Sequence, residues 1–570
     1  MTWLALLIGC GDPTPVATTR HVATPADLEA HCAEQVGDPR VEEVTDGVFV
    51  ARGYDLANTV VVQTDDGRVV IDAGMSPTRA HGARLALDEV TSGPVRALIY
   101  THSHVDHVGG AAIWVESGTQ IWATEAFEDH FFKQYGVFLP AETTRAARQF
   151  GLDVPDSELP CSALGRNVDL RAALQNGARL PTHTFTGQTR LTVGGVTLDL
   201  VEAHGETDDQ LFVYLPDQEV LLPGDNVYTS FPNLYTIRGT RPRPTRDWIA
   251  SLDAMRALDP AVLVPSHTNV VAGRDAVRAR LRTYRDGIQW VADSVVRAAN
   301  AGTPLEEAVA AIGLPDHLAS APELAELYGQ LDWSVRALYT NELGWFDGRA
   351  SQLYPLPPGD RATRLIASMG GVAAVRSQAQ ASDDPRWALE LLELLEAAGT
   401  EELDLAFAQA YEALAEQTAN TNGRGYLLVA AAQRRAGEVV APGQAALSPA
   451  FVASIPIEHV LGNLVARLRP EEAIGVHETV LLAFTDHPHA WLTVRHGLLE
   501  IVWGTPLPGT PEPVATATLS TGTWKSLALG HETPAEALAN DHLEVDGLLA
   551  LRGFLARFDQ GLIQVAERLP

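Results

Sequence analysis

Three histidines and an aspartate lie close together in "THSHVDHVGG", residues 101–110. His102 and His104 are two residues apart, so an extended chain can aim both imidazoles at one point, while Asp106 and His107 turn toward a neighbouring point. Imidazole and carboxylate together suit Zn²⁺, and no cysteine lies nearby to indicate a structural thiolate site. The spacing therefore predicts a site for two adjacent metal ions.

The elements around this stretch predict a strand-rich α/β domain over residues 40–290. The apolar run "VRALIYT" predicts a buried strand that carries the histidines at its carboxyl end, and the "GG" after them permits close backbone turns. Asp-Gly pairs divide residues 44–74 into Val- and Ile-rich runs, which predicts a β-meander. Two later hairpins are predicted in "TRLTVGGVTLDLV" and "QLFVYLPDQEVLLPGD", and a strand in "AVLVPSH". A helix between them is predicted to carry four apolar residues on one face, namely Trp248, Leu252, Met255 and Leu258.

The rest of the chain predicts two further domains, as expected for 570 residues of ordinary globular composition. Residues 291–440 contain Ala-, Leu- and Glu-rich segments such as "WALELLELLEAAG", which predict an all-α domain without a clean 34-residue repeat. After the stretch "VVAPGQAALSP", residues 450–570 return to mixed α and β character, with a hairpin predicted in "HAWLTVRHGLLEIVWG".

The formal net charge of −31 excludes one class of partner. Such a charge repels phosphate backbones, and no Lys/Arg-rich run offsets it, so nucleic acid is not expected to bind. An anionic small molecule would need a local positive site.

The first ten residues, "MTWLALLIGC", form a short apolar segment ending in "LLIGC". This ending resembles a bacterial lipobox, which implies that residues 1–10 are a lipoprotein signal segment and that Cys10 is lipidated. The protein would then be exported, to the periplasm or anchored to the outer membrane. No Lys or Arg precedes the apolar residues, so an ordinary N-terminus is the alternative. Cys32 and Cys161 either pair in an oxidising compartment or are two unrelated buried thiols.

The H-x-H-x-D-H pattern resembles that of the metallo-β-lactamase superfamily, whose fold is an αββα sandwich. Later metal ligands follow in the superfamily's order. "AHGETDDQ" places Glu206 where the superfamily usually has a histidine, with His204 as its rival, and Asp225 and His267 follow in "LLPGD" and "VLVPSH". The resemblance therefore implies seven metal ligands, namely His102, His104, Asp106, His107, Glu206, Asp225 and His267.

A glutamate at position 206 narrows the resemblance to the alkyl sulfatases. Three other parts of the chain also resemble that branch. They are "NLYTIRG" at 233–239, "LYTNELGWFDGRASQLYPLPP" at 338–358, and residues 450–570. The second resembles part of a helical dimerisation domain, and the third resembles a sterol-carrier-protein-like α+β domain. The resemblance implies a homodimer. Two departures leave the exact substrate open. The branch usually has glutamate where this chain has Asp225, and "GETDDQ" differs from the branch's usual sequence around Glu206.

Two zinc ions per chain would share a water, lower its pKa and stabilise charge on substrate oxygens, so hydrolysis is the expected reaction. Asp106 and Asp225 are expected to be the catalytic carboxylates. Asp72, in "VVIDAG", is either an acceptor that orients a ligand imidazole or the cap of a turn. The ligand assignment is His102, His104 and Glu206 to the first zinc, Asp106, His107 and His267 to the second, and Asp225 to the bridge between them.

An anionic sulfate ester needs fixed donors, and Arg238 and Asn233 are the candidates. Arginine presents a planar fork of donors suited to tetrahedral oxyanions, and asparagine adds a neutral donor. The resemblance implies that both contact the sulfate group. The other nearby arginines are expected to be solvated or paired with acids, namely Arg241, Arg243 and Arg246.

The resemblance implies a dizinc hydrolase that cleaves alkyl sulfate esters to alcohol and inorganic sulfate. An apolar groove in its C-terminal domain would collect alkyl chains. One alternative is a hydrolase of the same fold acting on another ester or on a lactam. Another is a non-catalytic lipid-binding protein, which the presence of all seven ligands disfavours.

Overall fold

The computed structural model describes residues 18–19, 22–173, 175, 177–437, 449–559 and 565. These residues form two compact units. The first contains the described residues up to 127 and from 141 to 437, and the second contains residues 128–140 and the described residues from 449 onward. Cys10 and the predicted signal segment lie outside the described residues. None of the helices in the described ranges is both long and apolar enough to span a membrane.

The first unit contains a seven-stranded sheet whose strands follow one another in chain order. Its first four strands are antiparallel neighbours, which confirms the predicted meander, and its last four are parallel. The strands are β1 (Arg40–Thr45), β2 (Val48–Arg52), β3 (Thr59–Thr64), β4 (Gly67–Ile71), β5 (Val95–Ile99), β6 (Gln120–Thr124) and β7 (His183–Phe185).

A second sheet of six strands faces the first. Its strands are β8 (Gln188–Val193), β9 (Val196–Glu202), β10 (Leu211–Leu215), β11 (Val220–Leu222), β12 (Val262–Leu263) and β13 (Val271–Ala272). β8 pairs with β9 and β10 pairs with β11 in antiparallel fashion, which confirms both predicted hairpins. β11 and β12 are parallel, so their carboxyl ends lie at the same edge of the sheet.

The core between the two sheets is aliphatic, and helices cover the outer faces. The helix Pro77–Asp88 buries Ala80, Ala83 and Leu87. On the second sheet's outer side, Thr245–Ala257 buries Trp248, Leu252 and Met255 as predicted, while Leu258 follows the helix end and is only half-buried. The long helix Arg274–Asn300 packs beside it. The predicted αββα sandwich is thereby confirmed. The residues shared between the two sheets include Val48, Val60, Ile71, Ile99, Leu198, Val213 and Leu222.

The remaining helices of the first unit confirm the predicted all-α region. The long helix crosses the predicted boundary at residues 290 and 291, and the exact boundary stays a prediction. The shorter helices before this region are Pro25–His31, Val105–Val108, Ala111–Trp114, Leu139–Gln149 and Leu170–Ala173, with a 3₁₀ turn at Gly224–Asn226. Those after it are Leu305–Ala311, Asp316–Ala319, Leu331–Leu343, Ala350–Leu353, Pro358–Ser368, Val372–Ala381, Pro385–Ala397, Asp404–Glu416 and Thr421–Ala436, with a 3₁₀ turn at Pro322–Leu324. Thr18–Thr19 pairs with Leu314–Pro315 as a two-residue strand pair.

Cys32 and Cys161 form a disulfide, so the two residues are paired and are not two unrelated buried thiols. Cys32 begins a π-helical turn that follows the N-terminal helix. The bond joins this turn to the loop around Ala163, whose carbonyl oxygen lies 2.7 Å from Nε2 of the buried His31. The helix Pro25–His31 and the turn after it are therefore joined to the sandwich by a covalent bond and by polar contacts that include Nδ2 of Asn269 donating to the oxygen of Glu34 at 2.8 Å.

The second unit is an α+β domain with a five-stranded sheet. The strands of this sheet are β14 (His477–Phe484), β15 (Ala490–Arg495), β16 (Leu498–Trp503), β17 (Pro513–Leu519) and β18 (Leu543–Asp546). Their spatial order is β16-β15-β14-β17-β18, and the hairpin β15–β16 confirms the prediction for "HAWLTVRHGLLEIVWG". Its helices are Phe127–Phe132, which begins one residue before the unit, and Pro449–Ser454, Ile457–Gly462, Pro470–Ala473, Thr521–Ala528, Pro534–Ala539 and Leu548–Leu555.

Candidate metal centre

The candidate ligands gather where strands of both sheets end. Asp72 follows β4, His102 follows β5, Asp225 follows β11 and His267 follows β12. β4 and β5 are parallel, as are β11 and β12, so each pair delivers its polar residues at one edge. Parallel strands place functional groups together in this way because their carboxyl ends share that edge.

The turn that carries the central histidines is pressed against the segment after β4. The nitrogen of Ala73 donates to the carbonyl oxygen of His107 at 2.6 Å. A Cβ atom on Gly109 would lie 1.9 Å from the oxygen of Met75, and one on Gly110 would lie 2.1 Å from that of Ala73. Only glycine fits at these two positions. This confirms the expectation that "GG" allows a close backbone turn.

The seven predicted ligands are all buried and converge on one region. Nε2 of His102 lies 2.8 Å from Nδ1 of His104 and 3.7 Å from Oδ2 of Asp225. Nε2 of His107 lies 3.3 Å from Oδ2 of Asp106 and 3.4 Å from Oδ1 of Asp225. These separations are those of donor atoms that can share a metal ion.

The ligand atoms fall into three groups, within each of which they lie no more than 4.8 Å apart. One group is the set predicted for the second zinc. The set predicted for the first zinc does not form a single group, because His102 joins His107 whereas His104 joins Glu206. Asp225 belongs to both of these latter groups, as a bridging carboxylate would. The groups are Asp106, His107 and His267; His102, His107 and Asp225; and His104, Glu206 and Asp225.

Three contacts turn the imidazoles so that their ligand nitrogens face the centre. Oδ2 of Asp72 lies 2.7 Å from Nδ1 of His107, and Nδ1 of His267 lies 2.9 Å from the oxygen of Leu56. Nδ1 of His102 lies 3.1 Å from Oγ1 of Thr101. Such partners fix the tautomer and orientation of metal-binding histidines. In each of these three residues Nε2 faces other candidate ligands.

Asp72 is held in place by more than its histidine. Its carboxylate accepts hydrogen bonds from the nitrogen of Thr101 at 2.9 Å and from Oγ of Ser266 at 2.8 Å. Its φ of 60° lies in the left-handed region, which is unusual for a residue with a side chain. Of the two roles open from the sequence, the structure places Asp72 in the first, against a ligand imidazole.

The electrostatics of the cluster are those of mutually compensating charges. Burial lowers the pKa of His102 and of His104 well below the usual value, so both are neutral. Burial opposes charge on His107 and Asp106 too, but each stabilises the other's charge. The pKa of His107 is therefore raised well above its usual value, and that of Asp106 is lowered to about 2. Burial raises the pKa of Glu206 to about 7.

These residues fit a pair of divalent cations. Neither Nε2 of His107 nor Oδ1 of Asp225 makes a hydrogen bond within the described residues, although each atom is buried. Buried polar atoms without partners are costly, and a coordinated cation removes that cost. Imidazoles and carboxylates without a thiolate are the donor set that a catalytic zinc site uses.

His204, the rival of Glu206, lies apart from the cluster. Its side chain is 39% exposed, and its Nε2 lies 3.1 Å from Oε1 of Glu202. Glu206 is buried, and its backbone nitrogen donates to Oδ1 of Asn226 at 3.0 Å. The geometry therefore brings Glu206, and not His204, to the other ligands.

The two residues predicted to bind sulfate lie next to the cluster. Nη2 of Arg238 donates to Nε2 of His104 at 3.2 Å, and its Nη1 forms an ion pair with Glu142. Asn233 is buried, and its nitrogen donates to the hydroxyl oxygen of Tyr228 at 2.8 Å. Arg238 is thus a buried cation beside a metal ligand and not part of a surface salt bridge.

Two residues of this region were not predicted from the sequence to belong to the site. Arg243 is paired with an acid, as expected, but it is buried, and its Nη1 donates both to Oε2 of Glu206 and to the oxygen of Asn233. Glu142 lies on the helix Leu139–Gln149, about a hundred residues before its partner Arg238. No local spacing marks either residue, because both contacts depend on how distant segments pack.

Comparisons with known protein families match three successive parts of the chain. Residues 52–267 match the metallo-beta-lactamase superfamily, residues 304–437 match the alkyl sulfatase dimerisation domain, and residues 445–561 match the alkyl sulfatase C-terminal domain. The three matches follow the order of the predicted domains.

Individual relatives agree. A linear primary-alkylsulfatase from Pseudomonas sp. is 31% identical, over 88% of this chain and 98% of its own. An (R)-specific secondary-alkylsulfatase from Pseudomonas sp. is 30% identical, over 80% of this chain and 72% of its own. The solved structure of the stereoselective inverting sec-alkylsulfatase Pisa1 from Pseudomonas sp. superposes with a TM-score of 0.80 at 26% identity, covering 94% of this chain and 85% of that one. A double mutant of the sec-alkyl sulfatase PisA1 gives a TM-score of 0.86 at 27% identity, covering 94% and 86%.

Proposed function

The chain belongs to the alkyl sulfatase family of the metallo-β-lactamase superfamily, and from this premise we propose that it hydrolyses alkyl sulfate esters to alcohol and inorganic sulfate with two zinc ions. The observation that carries the proposal is the buried guanidinium of Arg238 beside a cluster of seven candidate metal ligands. A cation next to such a cluster suits a substrate that brings its own negative charge. A neutral ester has no charge that this cation could bind.

The proposed ligand roles keep the assignment made from the sequence. Asp106, His107 and His267 would hold the second zinc, and they form one group in the structure. His102, His104 and Glu206 would hold the first, although His102 groups with His107 and not with Glu206, and Asp225, which belongs to two groups, would serve both ions. When bound, two zinc ions supply Lewis acidity and lower the pKa of a shared water toward neutrality. Asp72 keeps the ring of His107 aimed at the centre through its 2.7 Å contact.

The sulfate end of the substrate would be bound by the chain's own donors. Arg238 offers a planar fork that can bind two oxygens of a tetrahedral anion, and Asn233 adds a neutral amide. Because both residues are buried, their hydrogen bonds to the anion would act in a medium of low dielectric constant, where they are stronger than in water.

Three further parts of the proposal concern the whole protein. The match to an alkyl sulfatase dimerisation domain supports a homodimer. Residues 1–10 would direct export, and lipidation at Cys10 would then anchor the protein to a membrane, so that it is periplasmic or anchored to the outer membrane. A sterol-carrier-like groove in the C-terminal domain would collect alkyl chains, each buried methylene contributing about 0.8 kcal/mol.

The test is metal analysis combined with a substrate panel. Purified protein should contain about two zinc ions per chain and should release sulfate from medium-chain alkyl sulfates. The matched carboxylic esters and a lactam serve as the competing substrates. Faster turnover of an ester or a lactam than of any alkyl sulfate would refute the proposal.

Arg238→Ala tests the anion contact directly. Loss of a charge-assisted hydrogen bond should reduce kcat/KM for an alkyl sulfate about ten- to a hundredfold, with zinc content unchanged. Arg238→Lys should recover only part of the loss, because an ammonium cannot reproduce the fork. Arg246→Ala, at an exposed arginine on the nearby helix, is the control and should behave as native. Native activity in the Arg238→Ala variant would remove this residue from the site.

A further inference from the structure

The guanidinium of Arg238 already has an anionic partner within the protein. Its Nη1 pairs with Oε1 of Glu142, and its Nη2 donates to Nε2 of His104. The ion pair is enclosed, since the arginine side chain is 9% exposed and the glutamate side chain 12%. An anion that reaches Arg238 therefore meets a carboxylate at the same cation.

The position of this carboxylate is fixed by the helix Leu139–Gln149. Oε1 of Gln149 accepts hydrogen bonds from Oγ1 of Thr236 at 2.8 Å and from the backbone nitrogen of Arg238 at 2.7 Å. Nη2 of Arg145 donates to the oxygen of Ile237 at 2.6 Å. Two further residues of the helix, Gln149 and Arg145, therefore hydrogen-bond to residues 236–238. These bonds hold the helix, and with it Glu142, next to Arg238.

A guanidinium has donors enough for two anions, but the anions repel each other. In an enclosed site this repulsion is much stronger than in water, and its free energy is proportional to the charge of the incoming anion. An alkyl sulfate carries one negative charge. Inorganic sulfate, formed with an alcohol and a proton when water cleaves the ester, carries two, as does a phosphate monoester near neutral pH. The penalty imposed by Glu142 is therefore about twice as large for these dianions.

We propose that Glu142 is a specificity-determining residue, which makes the Arg238 site favour singly charged sulfate esters over doubly charged anions. This inference rests on the proposed function for the identity of the substrate. Its consequence is a reaction site that binds the monoanionic ester and weakens binding of its own dianionic product. It also explains why a cation meant for an anionic substrate is partly neutralised beforehand.

The experiment measures anion binding without turnover. Full-length, zinc-loaded protein is titrated by calorimetry with sodium sulfate and with methanesulfonate, a monoanion of similar shape whose carbon–sulfur bond is not hydrolysed. Glu142→Gln and Glu142→Ala are compared with the native protein, so that a folding defect in one variant does not end the test. Glu219→Gln is the matched control, because Glu219 forms an exposed pair with Arg274 at 2.7 Å in the turn between β10 and β11.

We expect sulfate to bind the Glu142 variants about tenfold more tightly and methanesulfonate only about threefold, since the repulsion scales with charge. The control should change neither affinity. Sulfate should bind the double variant Glu142→Gln/Arg238→Ala more weakly than Glu142→Gln alone, because the arginine supplies the attraction that the carboxylate opposes. Unchanged or weaker sulfate binding would overturn the inference, and so would equal gains for both anions.

Failure of this inference is separable from failure of the proposed function. If the protein hydrolyses alkyl sulfates but Glu142→Gln leaves sulfate binding unchanged, the role of Glu142 is wrong and the function stands. If no alkyl sulfate is hydrolysed, the function is wrong, while selective tightening of the dianion would still establish Glu142 as a charge filter.

Discussion

The cluster of candidate metal ligands in the first unit and the core of the second unit are both buried, but different interactions stabilise them. The cluster consists of imidazoles and carboxylates whose charges compensate one another. Residues such as Asp72 contact the imidazoles and fix their orientation. The core of the second unit is built from apolar side chains such as Leu482 and Leu492, with one buried hydroxyl pair between Thr479 and Thr493 at 2.9 Å. Burying the charged groups of the cluster costs folding stability, whereas burying the apolar side chains of the second unit's core contributes to it. Substitutions should therefore separate metal binding from stability.

The largest effect is expected from removing a ligand. Asp106→Ala should lower zinc content from about two to about one per chain and reduce alkyl sulfate hydrolysis about a thousandfold or more, because Lewis-acid stabilisation of several kcal/mol is lost. Elemental analysis and initial rates measure both. The stability of the second unit, followed by hydrogen exchange in β14, should stay the same. Full zinc occupancy in this variant would remove Asp106 from the ligands.

A matched pair tests the ligand that distinguishes this chain from most of its superfamily. Glu206→Ala should lose zinc, while His204→Ala, which removes a half-exposed ring paired with Glu202, should retain it. If only the His204 variant lost metal, the assignment of the first zinc would be wrong.

Leu482→Ala should produce the opposite result. Leu482 is fully buried in β14, at the centre of the second unit's sheet, and truncation of such a side chain costs about 2 to 5 kcal/mol of unfolding free energy. Zinc content should remain near two. Leu498→Ala on the edge strand β16, where the side chain is 66% exposed, is the control and should change stability little. Loss of zinc in Leu482→Ala with the second unit still folded would contradict the separation.

The disulfide distinguishes the two units as well, since no cysteine lies within residues 447–570. Replacing both Cys32 and Cys161 by serine should lower the unfolding free energy of the first unit by about 2 to 4 kcal/mol, because the bond closes a loop across a sequence separation of 129. Denaturant unfolding compares the variant with the native protein. Hydrogen exchange in the second unit should be unaffected, and an unchanged first unit would show that the bond contributes nothing to stability.

The smallest effect is expected from a residue that only orients a ligand. Asp72→Asn should weaken zinc binding about ten- to a hundredfold, since the asparagine no longer presents a charged acceptor to His107. Asparagine tolerates the left-handed φ of 60°, so the backbone should not be strained. Competition with a chelator measures the affinity. Ser266→Ala, which removes only one of the contacts to Asp72, should have a weaker effect, and a larger one would argue against the carboxylate as the orienting group.

Much of the fold was predictable because sequence patterns a few residues long determine its hairpins and helices. The meander, the hairpins and the helix carrying Trp248 follow from alternation, Asp-Gly or Gly-Gly turns and helical periodicity, all of which act over a few residues. The short-range part of the site was predictable for the same reason. His102 to His107 share one turn, so their proximity is set by the chain itself.

The sequence by itself determined which chemical groups the protein has and the order in which they occur, namely an H-x-H-x-D-H turn and three later single ligands. Only the tertiary structure decided which of Glu206 and His204 faces that turn, and that Cys32 meets Cys161. It also decided that Glu142 shares a cation with the predicted sulfate site. The physical reason is that these choices depend on contacts between segments far apart in the chain, which packing of the two sheets and their helices brings together and no local spacing encodes.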